Sequence, residues 1–198
     1  MPEKQKAKSS FVRGFKKSAE EHSVNFRRTL GLRPEEHLPA RLLAEHLKVP
    51  IFCPTEINGM DEKHLQVLLK PKKSKWSAVT VLTEDDSKII LYNSSHPPTR
   101  QESDLMHELA HVICGHEMRA FDQQRANFPF IMREFNKSQE DEANWLGGCL
   151  QMPRVGLVWA RSKGMSIDEM AEHFKASRAM VTFRVNKEGI NRQFGYRR

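Results

Sequence analysis

Apolar residues recur along this chain with two different periods, and the change from one to the other maps its organisation. From about Ser18 to Leu30 the residues are polar with a helical composition, and Gly31 stops the run. Pro39 then opens a second helix at its first turn, with Leu42, Leu43 and Leu47 on one face. Val49 to Phe52 is a short strand candidate. Trp76 to Leu82 (WSAVTVL) and Lys88 to Asn93 (KIILYN) are rich in β-branched and aromatic residues, and the turn-like TEDDS between them predicts a hairpin. After SSHPP the period becomes helical. Thr99 and Glu102 have capping-box spacing for a helix running to about Cys114, where Gly115 ends it. Further helices are predicted over Ser138 to Met152 and from Pro153 to Lys163, before Gly164. Ser166 with Glu169 caps a helix to about Phe174, and Ser177 caps a last one that ends near Gly189. Residues 1 to about 15 are polar and basic, with little to bury, and are predicted to be disordered.

Composition narrows the class. With 198 residues, 38% of them hydrophobic and 29% charged, the chain suffices for one principal core with a small helical appendage. No apolar stretch approaches the roughly 20 residues that span a bilayer, and MPEKQKAKSS lacks an apolar region behind its charges, so a cytoplasmic protein without a membrane partner is expected. Cys53, Cys114 and Cys149 are an odd set without CxxC spacing, which fits buried thiols in a reducing compartment. The net charge of +7 is concentrated in basic runs at both ends and around Pro71. Solvated tails and loops account for such runs, although nucleic acid is a possible partner.

The chemistry sits in His107-Glu108-Leu109-Ala110-His111, an HExxH motif within a predicted helix. Imidazoles four residues apart project from one face and can share a zinc ion, with Glu108 as the general base of a metallopeptidase. Leu105, Leu109, Val112 and Ile113 would anchor that helix, and the preceding KIILYN strand supplies a sheet to pack it on. A catalytic zinc has three protein ligands and an open position. The spacing that places a third His ten positions after the first fails here, since position 117 is Glu117 and His116 comes one residue early. His116 is therefore read as a helix-end residue supporting the ligands. The alternative is a carboxylate from the segment SQEDEANWLGGCLQMP, which offers Glu140 and Glu142. These two point about 200° apart on a helix, so only one can bind. The small Ala143 beside them would let two helices approach closely. Tyr92, His96, Arg100 and His116 are candidate oxyanion donors that the sequence does not rank.

HELAHVICGH followed by EDEANWLGGCLQMP resembles the ImmA/IrrE family of zinc metallo-endopeptidases, in which HExxH is paired with a downstream E-x-x-A-N segment and a Leu-x-Met-Pro ending. NSSHPPTRQESDLMHELAH is similar to the family's approach to its active-site helix. The likeness is loose over residues 18 to 190 and good over 88 to 153. It implies an α+β fold: a mainly helical zincin-like domain over residues 16–163, a small β-sheet packed on the HExxH helix, and a helix-turn-helix-like extension over 164–198. It also implies His107, His111 and Glu140 as zinc ligands, Glu108 as the base, and a helix-turn-helix transcriptional repressor as the substrate. Gly147 and Gly148 depart from the family's usual aromatic, alanine and leucine run; they are expected to weaken the helix without touching the chemistry.

The segment SIDEMAEHFKASRAMVTFRV reads as two short capped helices across a turn. Its apolar residues Ile167, Met170, Phe174, Met180, Val181 and Val185 suit packing on the core, while Arg178 and Arg184 are the cations a DNA-binding role would use. Three functions from different classes follow: an endopeptidase, a non-catalytic regulator that docks on a repressor or DNA, and a DNA-binding protein with a structural zinc.

Overall fold

In the computed structural model, residues 11–57, 62–68, 76–82, 87–116, 119–120, 133–134 and 136–195 are described. Helix α1 (Phe15–Thr29) buries Ala19, Ser23 and Arg27, a stripe at intervals of one turn. It ends at Gly31, whose φ of +73° is the left-handed turn that glycine makes without strain. Pro39 precedes α2 (Ala40–His46). Strand β1 (Ile51–Phe52), a single 3-10 turn (Pro54–Glu56) and α3 (Glu62–Leu68) lead to the hairpin β2 (Ala78–Leu82) and β3 (Lys88–Tyr92). The sheet order is β1-β3-β2, with β1 parallel to β3 and β2 antiparallel to it, so β2 is an edge strand. Most of the turn segment expected between β2 and β3 lies outside the described residues, as do residues 1–10 and the basic run around Pro71.

Helix α4 (Pro98–Ile113) carries the HExxH motif and packs on β2 and β3. Leu105, Met106 and Leu109 are almost fully buried, each contributing about 1.5–3 kcal/mol by leaving water. The expected Thr99–Glu102 capping box does not form. Pro98 occupies the first helical position, which leaves Thr99 already inside the helix, and Glu102 instead accepts the Ala40 N–H at 2.6 Å, tying α4 to the start of α2. A two-stranded ribbon, β4 (Arg119–Ala120) with β5 (Arg133–Glu134), separates α4 from α5 (Lys137–Gln151). Asn136 and Gln139 close a reciprocal cap on α5.

Helix α5 lies against α4 and α1. Its last turn has an unusual solution to the helix-end problem. Pro153 has no N–H to donate, so the carbonyls of residues 149 to 152 need partners from elsewhere. Ser23 Oγ donates to Cys149 O at 2.5 Å, and Arg27 donates to Leu150 O at 2.8 Å and Gln151 O at 3.1 Å. Arg184 donates to Met152 O at 3.0 Å. Both arginines are fully buried. Burial pulls Arg27 down to about 10, with Glu20 opposing, so it stays cationic at neutral pH. Glu20 also pairs with Arg184 and accepts the Arg154 N–H at 2.7 Å, the first amide of α6 (Arg154–Ser162).

The remaining helices are α7 (Ile167–His173), α8 (Arg178–Lys187) and the short α9 (Ile190–Gln193). Ser166 and Ser177 cap α7 and α8 as expected. Their apolar faces form a second core in which Met170, Phe174, Val181 and Val185 meet Met152, Leu157 and Ala160. The expected boundary between residues 163 and 164 falls inside this cluster. At the other end of the chain, part of the segment expected to be disordered is ordered: Phe11 stacks on Phe15 and meets Trp145 edge-on at 5.6 Å, because two aromatic rings there have a core to cover. Together these layers are an α+β fold, mostly helical, with one small sheet on the HExxH helix.

Candidate active site

Gly147 of α5 sits tight against α4. A Cβ there would stand 3.2 Å from Met106 O and 3.3 Å from His107 Cα. The glycine therefore does more than weaken a helix, contrary to expectation: it sets the separation between α5 and the backbone of the first motif histidine. Ala143, one turn earlier on the same face, is fully buried. This close approach carries Glu140, a further turn back, over the imidazoles.

His107 Nε2 and His111 Nε2 stand 3.1 Å apart. Glu140 places Oε2 at 3.3 Å from the first and Oε1 at 3.5 Å from the second. One donor atom from each residue lies within 4.8 Å of the others, the one such group found among the described residues. A tetrahedral zinc with ligand bonds of about 2.0–2.1 Å sets its donors about 3.3 Å apart. The observed spacings match, and two imidazoles with one carboxylate are a donor set that suits zinc, so the residues present fit that ion. Glu142 is not part of this group. Its Oε2 instead meets His116 Nε2 at 3.1 Å, while His116 Nδ1 lies 2.9 Å from His111 Nδ1.

Glu108 faces the sheet side of α4 and is buried. Its Oε2 accepts two bonds from the edge strand, from the Thr80 N–H at 2.9 Å and the Thr80 hydroxyl at 2.6 Å. Ladder pairing explains how Thr80 is available. Ser77 O accepts the Asn93 N–H at 2.8 Å, so the odd-numbered residues of β2 face β3 and the amide of Thr80 points away from it. Burial pushes the Glu108 carboxyl up, and the Thr80 bonds and the nearby His107 pull it back. His111 is pushed down to about 3, first by burial and then by the neighbouring charges of His107 and His116, so at neutral pH it is an uncharged imidazole.

Of the candidate oxyanion donors, His96 bonds Asp104 at 3.0 Å and Arg100 lies 3.7 Å from the same carboxylate. Tyr92 is buried beneath Arg41, and His116 is taken up by His111 and Glu142. Burial raises Asp104, with His96 opposing. Sequence reasoning missed Thr80 altogether. Its one trace is a lone hydroxyl in the otherwise apolar AVTVL.

Residues 62–186 match the family model of the IrrE N-terminal-like domain, the M78 peptidases. The chain belongs to that family. The matched M78 region contains the HExxH helix, α5, α7 and all but the last residue of α8. No curated protein matches. Among solved structures, a Mycobacterium tuberculosis transcriptional regulator is similar with a TM-score of 0.47 at 11% identity, over 89% of this chain and 48% of that one. This chain thus spans about half the length of that protein. No described helix is long and apolar enough to cross a membrane.

Proposed function

We propose that the protein is a zinc-dependent endopeptidase that hydrolyses a peptide bond of a protein substrate. The observation that carries the reading is the convergence of His107, His111 and Glu140 beside the buried carboxylate of Glu108. A divalent ion held through one lone pair of each imidazole and the single negative charge of Glu140 would keep net positive charge. When bound, zinc supplies Lewis acidity and lowers the pKa of water from 15.7 to about 7.

Glu108 takes the proton of the attacking water and passes it to the leaving amine. Burial favours its protonated form and so eases uptake of that proton. Thr80 holds one carboxylate oxygen from the edge strand, which keeps the group from rotating away. The substrate class follows from the resemblance to ImmA/IrrE peptidases: a helix-turn-helix repressor. The basic tails give no specific reason to prefer DNA. Arg184, one of the two cations that a DNA-binding reading needs, is fully buried against Glu20 and Glu188, and Arg178 is paired with Asp168.

Glu108→Gln is the decisive variant. It keeps the shape of the side chain and should retain zinc and substrate binding while cleavage of the repressor falls by at least about 100-fold. Undiminished cleavage by this variant, followed by gel and mass spectrometry, would overturn the mechanism.

A further inference from the structure

The second glutamate of the EDE segment, Glu142, lies two residues beyond Glu140, and His116 stands between it and His111. We propose that Glu142 and His116 form a positioning relay that fixes the tautomer of His111, turning its Nε2 lone pair toward His107 and Glu140. The inference rests on the zinc-site reading above.

Donor counting makes the order directional. A carboxylate only accepts, so the Glu142 Oε2 contact at 3.1 Å requires the proton of His116 on Nε2. A metal held at His111 Nε2 would leave the proton of that ring on Nδ1. The 2.9 Å contact between His111 Nδ1 and His116 Nδ1 then carries this proton toward the His116 lone pair. With its proton on Nδ1, His111 presents a lone pair at Nε2, the atom that lies 3.1 Å from His107 Nε2 and 3.5 Å from Glu140 Oε1. The opposite order would set the His116 Nε2 lone pair against a carboxylate and turn a proton toward the metal position.

Burial makes the order consequential. The side chains of His111, His116 and Glu142 are 2%, 6% and 16% exposed, so water competes poorly for these bonds. Local geometry brings the relay together. Gly115 has φ +64°, which reverses the chain just after α4. The His116 N–H then donates to His111 O at 3.1 Å, and the ring folds back beneath the motif. Glu140 and Glu142 thus divide the work of α5. One carboxylate reaches the ligand position, and the other reaches the far nitrogen of a ligand through one intervening ring. Outer partners of this kind commonly alter metal affinity 10- to 100-fold.

The test uses the full chain and zinc ion alone. Zinc dissociation constants are measured by chelator competition for wild type, Glu142→Ala, His116→Phe and His111→Ala, with thermal unfolding of the metal-free forms as the check on folding. Glu142→Ala and His116→Phe should each weaken zinc by about 10- to 100-fold, and His111→Ala should abolish tight binding. Long-range proton–nitrogen NMR of the metal-free wild type should show the proton of His111 on Nδ1 and that of His116 on Nε2. In Glu142→Ala the two tautomers of His111 should mix. The relay is overturned if His111 carries its proton on Nε2 in wild type, or if both relay variants bind zinc within about twofold of wild type while His111→Ala does not. Should wild type take up no zinc, or His107→Ala and His111→Ala bind it normally, the metal site itself fails and the relay with it. The tautomer spectrum separates these two failures.

Discussion

The two ends of α5 are both polar, yet they are built on opposite rules. At its C-terminal end, acceptors are matched by donors: the carbonyls of residues 149 to 152 meet Ser23, Arg27 and Arg184, and Glu20 meets Arg184. Near its N-terminal end, acceptors crowd one another. Two imidazole nitrogens and a carboxylate stand 3.1–3.5 Å apart with their lone pairs converging. A matched cluster stabilises a fold, whereas a cluster of converging acceptors stabilises nothing until a cation joins it. The contrast separates a structural polar cluster from a functional one without any ligand in view.

The sharpest way to break the comparison is at the matched end. Arg184→Met should lower stability by about 3–5 kcal/mol, because Met152 O loses a buried donor and the partly buried carboxylates of Glu20 and Glu188 lose the cation they share. Denaturant unfolding measures this, and a loss below about 1 kcal/mol would mean the junction is not the fold's anchor. At the other end the sign reverses: adding zinc to about 100 times its dissociation constant should stabilise the protein by about 2.7 kcal/mol. A chelator should remove that gain, and Glu140→Ala should abolish it, as read from thermal midpoints.

Smaller effects sharpen the boundary between the two ends. Gly147→Ala gains about 1 kcal/mol of helix propensity but forces α5 from Met106 O and His107, at a cost of about 1–3 kcal/mol. Net stability should therefore change by less than about 2 kcal/mol, while zinc affinity falls because Glu140 moves with its helix. Thr80→Val removes one hydroxyl bond from Glu108. It should cost about 1 kcal/mol of stability and reduce peptidase activity, with zinc binding retained.

Acid provides the last probe. Folding lowers the affinity of His111 for protons from the usual 6.5 to about 3, so the unfolded chain binds a proton that the native state refuses. Above about pH 6.5 this group contributes no pH dependence. Stability of the metal-free protein should decline as pH falls from about 6.5 toward 3, and protons should release zinc over the upper part of the same window. A flat stability profile across it, in urea titrations, would contradict the burial of a neutral His111.

Elements with local signals were legible in advance. The capping box at Ser166 and the single cap at Ser177 lie within three residues of their partners, and the Gly115 stop needs only its own backbone freedom. Thr99 and Glu102 show where such reading fails. Their spacing is right, but Pro98 starts the helix one position too early, and a long-range partner at Ala40 claims the carboxylate. Arg184 was open to being read as a surface cation because burial of an arginine depends on Glu20 and Met152, distant in sequence.

The sequence by itself determined the longer helices, the hairpin strands and the pairing of His107 with His111 on one face, since each depends on contacts within a turn or a strand period; the short helices α3 and α9 carry too few turns to show a period. Only the tertiary structure decided which glutamate of EDE stands over the imidazoles, that Thr80 holds Glu108, and that His116 links His111 to Glu142. Those choices depend on how closely two helices approach at Gly147 and on which edge of β2 is left unpaired. Such distances come from the packing of the whole chain and have no period along it.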